Sequence, residues 1–94
     1  MLTETVLYLE SRNHTVVIHT DDRDYTVYKK LSELTKRLPA VFVRCHKSYL
    51  VNMNRIRRLN GDEIWLSEML MVPVSKRYLV QTREEFFRHI GQKL

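Results

Sequence analysis

Cysteine occurs once, at Cys45, and glycine and proline twice each in a chain of 94 residues. A single thiol excludes an internal disulfide and makes a reducing, cytoplasmic setting the economical expectation. With Gly61 and Gly91 as the only glycines, no Gly-rich phosphate cradle can be assembled, which excludes P-loop and dinucleotide chemistry. No apolar run approaches the roughly 18 residues of a membrane-spanning helix. Met1-Leu2-Thr3-Glu4 lacks the basic start and long apolar core of a secretory signal.

Acidic residues are missing from one long stretch. None occurs between positions 34 and 61, whereas Lys36, Arg37, Arg44, Lys47, Arg55, Arg57 and Arg58 all fall inside it. The acids gather at Asp21, Asp22 and Asp24 and at Glu84 and Glu85. With 16 Lys and Arg against 11 Asp and Glu, the net charge is +5, and its one-sided distribution makes a field that draws in polyanions. The alternative on charge alone is a soluble basic surface with no partner; the competing function is a basic interaction module that docks an acidic protein partner and adds to a sheet edge.

A hydrophobic share of 44% argues against disorder. The length suits one domain over residues 1–94, burying about 60% of its unfolded surface in a single modest core. Residues 5–10 and 14–20 are rich in β-branched and apolar side chains and read as strands, with a turn at Ser11-Arg12-Asn13 between them. After a second turn at Asp21-Asp22-Arg23, the alternation over residues 24–28 reads as a third strand. Leu31, Leu34 and Leu38, closed by Pro39, mark a short amphipathic helix lying over one sheet.

Next come two strands over residues 41–45 and 49–51, joined by a turn that carries Arg44, His46, Lys47 and Ser48. Residues 55–59 form a strand with Arg55, Arg57 and Arg58 in solvent, and Asn60-Gly61 turns the chain back through residues 63–66. Residues 69–74 make a further strand whose Pro73 belongs at an edge or a bend. Ser75 is placed to cap a closing helix over residues 77–90. About eight short strands and two helices without βαβ alternation describe a mostly β fold.

Chemistry-bearing clusters are few. His14, His19, Cys45 and His46 fit no zinc spacing. A nucleophile at Cys45 or Ser48 with His46 as base is awkward, because adjacent strand residues point to opposite faces. The expectation is a non-enzymatic protein without metal or cofactor. Donor-rich turns without acidic neighbours suit phosphate oxygens and guanine edges instead, and turns sharing one end of the sheets could enter a groove about 12 Å wide. Lys47 and Lys76 are then the base-reading candidates.

Phe42-Val43-Arg44-Cys45-His46-Lys47-Ser48-Tyr49-Leu50-Val51-Asn52, with Val72-Pro73-Val74-Ser75-Lys76-Arg77-Tyr78 behind it and Leu7-Tyr8-Leu9-Glu10-Ser11 ahead, closely resembles the LytTR DNA-binding domain of bacterial response regulators. The resemblance covers nearly the whole chain. It implies several small antiparallel sheets with one short connecting helix and one C-terminal helix. It implies binding to double-stranded DNA at promoter direct repeats by a transcription regulator of a two-component system, with loops inserted into successive major grooves and the duplex bent.

By the same resemblance, His14, Lys47 and Lys76 contact bases, and Arg12, Arg44, His46, Ser48, Ser75 and Arg77 are the candidates for the DNA backbone. The later base position is usually arginine in the family. Lysine there and at position 47 keeps the charge but lacks the planar fork that grips guanine with two bonds. The implied partners are DNA, a second copy on the adjacent repeat, and an N-terminal receiver domain in a full-length protein; no membrane is expected. This chain carries no receiver domain, and the strand that the family usually places before residues 7–10 is shortened to residues 1–5, so the expectation is either an excised domain or a small stand-alone regulator.

Overall fold

A computed structural model describes residues 3–93. Eight strands follow one another with a short helix inserted after the third: β1 (Val6–Arg12), β2 (Thr15–Thr20), β3 (Asp24–Val27), α1 (Leu31–Arg37), β4 (Phe42–His46), β5 (Tyr49–Asn52), β6 (Arg58–Asn60), β7 (Glu63–Trp65) and β8 (Met71–Pro73). The closing helix α2 runs over Lys76–Lys93. A five-stranded sheet has the order β3-β2-β1-β5-β4, and a three-stranded sheet the order β6-β7-β8. All the pairings are antiparallel, which agrees with a mostly β chain lacking crossover helices.

Strand alternation divides the core. Leu9, Val16, Ile18, Phe42 and Leu50 point to one face of the larger sheet, where Leu31 of α1 joins them. Their neighbours Val43 and Val51 point to the other face and pack with Cys45, Ile64, Val72 and Phe86 from the second sheet and α2. A side-chain period of two thus lets one sheet serve two apolar layers. The leucine spacing of α1 has the expected outcome: Leu31 is buried, with Leu34 and Leu38 packed against the same cluster.

Several boundaries differ from the sequence expectation. Pairing of β1 with β2 continues to Arg12–Thr15, so the turn is Asn13-His14 and not Ser11-Arg12-Asn13. Asn13 has φ 53°, a left-handed conformation that asparagine tolerates better than most residues. The later hairpin closes at Asn60–Glu63, leaving Gly61-Asp62 as its turn, one residue beyond the expected pair. Gly61 takes the positive φ of 61° while Asn60 stays extended in β6. Pro73 lies on the edge strand β8, where its missing N–H costs no ladder bond.

The expected strand over residues 55–59 shrinks to β6, because a 3-10 turn over Met53–Arg55 precedes it. The buried Asn52 side chain sets this turn by accepting the Asn54 N–H at 3.0 Å while its amide donates to the Val6 carbonyl at 2.9 Å. Arg55 consequently leaves the basic strand face assigned to it. Its guanidinium donates to both Asp21 carboxylate oxygens, at 3.0 and 2.5 Å, and to the Glu4 carbonyl at 3.1 Å. The residues that tie this corner together lie 34 or more positions apart, beyond the reach of local patterning.

Two carboxylates carry a pH signature. The Arg55 hydrogen bond holds Asp21 below its ordinary value. Glu10 is pushed up by burial, yet hydrogen bonds from Arg12 and His19 outweigh this and leave it lowered as well. A depressed folded pKa stabilises the fold above the unfolded value, about 4 for a carboxylate, and that contribution is lost as pH falls through the folded value. Urea titrations between about pH 6 and pH 2 should therefore show a steeper loss of stability for the wild type than for E10Q/D21N. Equal acid limbs would refute the assignment.

Candidate nucleic-acid interface

The first turn of interest is the tip of the β1–β2 hairpin. The Thr15 hydroxyl donates to the Arg12 carbonyl at 3.0 Å and closes it, leaving Asn13 and His14 exposed. Arg12 is also exposed but not unpaired: its guanidinium meets Glu10 at 2.9 Å. Glu10 lies 3.0 Å from His19 Nε2, and His19 Nδ1 lies 2.9 Å from Asp24. A phosphate contact from Arg12 therefore competes with a carboxylate already in place.

The second turn, Lys47-Ser48, joins β4 to β5. Arg44 pairs with Leu50 and His46 with Tyr49, so Cys45 is an extra residue in β4, a β-bulge. Arg44 braces the turn from within, donating from Nε to the His46 carbonyl at 2.9 Å and from Nη2 to the Lys47 carbonyl at 2.6 Å. The Ser48 N–H donates to His46 Nδ1 at 3.1 Å, which leaves Nε2 of that ring as the nitrogen able to donate outward. Lys47 is the exposed side chain of the turn.

The third segment is the start of α2. The bulge frees the Cys45 carbonyl, which accepts the Ser75 N–H at 3.0 Å. The Tyr78 ring then lies near two guanidinium groups, 5.9 Å from Arg44 and 5.7 Å from Arg77, a cation–π arrangement. Thr82, wholly buried, donates to the Arg44 carbonyl at 3.3 Å and fixes the next turn of the helix on β4. Lys76 and Arg77 are exposed.

These three segments share one end of the molecule. The Ser11 N–H donates to the Ser48 carbonyl at 2.8 Å, joining the first turn to the second, and the Ser75–Cys45 bond joins the second to the third. His14, Arg44 and Lys47 line a single cleft of about 470 Å³. The fold thus brings His14, Arg44 and Lys47 to one cleft, whereas Lys76 and Arg77 are not among its lining residues and are tied to it through the Ser75–Cys45 bond. Sequence reading passed over Tyr28, Lys29 and Lys30, which line the same cleft. The two lysines follow a strand and precede a helix, and the pair itself was the only local signal.

Nucleophilic chemistry has no footing at the bulge. Burial pushes the Cys45 thiol up to about 12, and its nearest polar neighbours are the Pro73 and Tyr49 carbonyls at 3.7 and 3.9 Å. The His46 nitrogen that could have served as base already accepts the Ser48 N–H. No helix among the described residues is long and apolar enough to cross a membrane.

Comparison with known proteins gives a consistent answer. The family profile of the LytTr DNA-binding domain matches residues 1–86. The transcriptional regulatory protein LytR of Staphylococcus aureus is 27% identical over 86 residues, which cover 90% of this chain and 34% of LytR. An uncharacterized response regulatory protein of Vibrio cholerae is 41% identical over 64 residues, 60% of this chain and 27% of that protein. The chain thus spans between about a quarter and a third of the length of these relatives. Among solved structures, the LytTr DNA-binding domain of a response regulator from Bacillus cereus superposes with a TM-score of 0.82 at 28% identity, covering 87% of this chain and 81% of that one.

Proposed function

The chain belongs to the LytTR DNA-binding domain family, and from that membership we propose that it reads promoter direct repeats through His14, Lys47 and Lys76 placed at base edges in successive major grooves. DNA binding is what the family does, and it is not enzymatic. The observation that supports the residue assignment is the hydrogen-bonded junction of three turns at one end, Ser11 to Ser48 and Cys45 to Ser75. A joint of this kind holds three donor-bearing tips at fixed spacing, so binding pays little to order them.

Roles divide by chemistry. Lysine reaches base acceptors as a point charge, and His46, through its free nitrogen, and Ser48 donate to phosphate oxygens beside Lys47. Arg44 both braces the turn and keeps further N–H groups for a phosphate, and the exposed Arg77, near the same Tyr78 ring, offers its own. Ser75 and Arg12 complete the backbone set. One domain over residues 1–94 makes a small contact, so a second copy on the adjacent repeat strengthens binding by raising the effective concentration. Where such a domain is joined to a receiver domain on its N-terminal side in a response regulator of the cytoplasm, the receiver would control the pairing. Family membership favours DNA over an acidic protein as the partner of the basic face.

Fluorescence-anisotropy titration against a library of short duplexes carrying spaced direct repeats, at two salt concentrations, tests this reading. Selection of one repeat set, with affinity falling steeply as salt rises, is expected because each neutralised phosphate contributes about 0.9 to the slope of log affinity against log salt. Weak binding with no preference among repeats would sink it.

A further inference from the structure

The cleft beside the base-reading turns has a wall that no part of the reading above uses. The connection between β3 and α1 contributes Tyr28, Lys29 and Lys30 to the lining that His14, Arg44 and Lys47 also form. Both lysines are exposed, and neither forms an ion pair with a described residue. Tyr28 is 85% exposed, a large ring standing in water without a packing role. Leu31 immediately follows and is only 4% exposed, seated in the core cluster that also holds Leu9 and Leu50. The segment is therefore pinned at its base while its basic and aromatic side chains stand at the cleft rim.

Four cations from two separate chain segments, Lys29 and Lys30 before α1 and Arg44 and Lys47 at the β4–β5 turn, line a cleft whose one acidic lining residue is Glu33. Such a field attracts anions. Resting on the DNA-binding reading, we infer that Tyr28, Lys29 and Lys30 form a clamp for the phosphodiester backbone that flanks the groove entered by His14 and Lys47. The lysines neutralise two phosphates without reading sequence, and the tyrosine ring packs on the intervening sugar. Helix α1, besides covering the core, then positions the clamp relative to the base-reading turns.

The clamp makes a sequence-blind contribution with a measurable signature. Two lost phosphate contacts, at about 0.9 each, should lower the salt slope by about 1.8 on specific and scrambled duplexes alike. Purified wild type, K29Q/K30Q and K36Q/R37Q would be titrated against a duplex of about 30 base pairs carrying the selected repeats and against a scrambled duplex, across a salt series. Lys36 and Arg37 are exposed at the other end of α1, so their removal subtracts the same net charge away from the cleft. Melting temperatures would check that both variants fold.

The expected result is a flattened slope and a several-fold loss of affinity for K29Q/K30Q on both duplexes, with the preference between them intact and K36Q/R37Q close to wild type. An unchanged slope for K29Q/K30Q overturns the clamp, as does an equal effect of the two variants, which would mean net charge alone. If wild type itself neither selects the repeats nor loses affinity with salt, the DNA-binding reading fails first and takes the clamp with it.

Discussion

Replacing Lys47 and Lys76 together with alanine is expected to weaken binding to the preferred site by about 2 to 6 kcal/mol, since each base-contacting residue contributes about 1 to 3 and the two stand on separate elements. Both side chains are exposed, so truncation leaves the fold intact. The Lys47 turn is held by Arg44 and by the Ser48–His46 bond, none of which involves the lysine side chain. The Lys76 backbone follows Ser75, which is tied to Cys45. The melting temperature should stay within a degree or two of wild type.

Selectivity is the informative readout. Affinity for a scrambled duplex should fall less than affinity for the preferred site, because a lysine near any DNA keeps only its phosphate attraction. Competition titration with the two duplexes gives the ratio directly. Should the double variant discriminate between them as well as wild type does, base reading lies elsewhere and these lysines serve the backbone.

Leu50→Ala should lower unfolding free energy by about 2 to 5 kcal/mol, the usual cost of emptying a buried leucine site. Leu50 is fully buried, on a strand hydrogen-bonded on both sides, to β1 and to β4. Its neighbours include Leu9, Val16, Phe42 and Leu31, drawn from three other strands and α1, so collapse around the cavity would have to move several elements at once. A small domain holds roughly 5 to 15 kcal/mol in all, so the loss is a large share of the total. Its effect reaches the interface, because β5 begins directly after the Lys47-Ser48 turn.

Urea denaturation with an unchanged m-value would measure the loss. A cost below about 1 kcal/mol would mean that the two apolar layers repack independently of β5. Val80→Ala offers the contrast: at 69% exposed on α2, it should change stability by no more than about 0.5 kcal/mol.

Local chemistry determined much of this protein before any coordinates. β-branched and aromatic residues at period two set β1 to β5, and leucines at helical spacing set α1. The resemblance carried by residues 42–52 and 72–78 supplied the family and the three candidate base contacts. These features depend on neighbours a few positions away, where backbone propensity and side-chain alternation decide the outcome.

The tertiary structure decided what depends on distant partners. Arg55 looked like part of a basic face, and only folding brings Asp21 and the Glu4 carbonyl to it. The Cys45 bulge exists because β4 and β5 must pair on both sides of an extra residue, and its freed carbonyl matters because Ser75 arrives from the second sheet. Lys29 and Lys30 were two ordinary surface lysines until the seating of α1 set them in the lining of a cleft shared with Lys47. Charge and residue type are written locally, whereas which charges end up opposed or gathered is settled only when long-range contacts close, since their free energy has no counterpart in the extended chain.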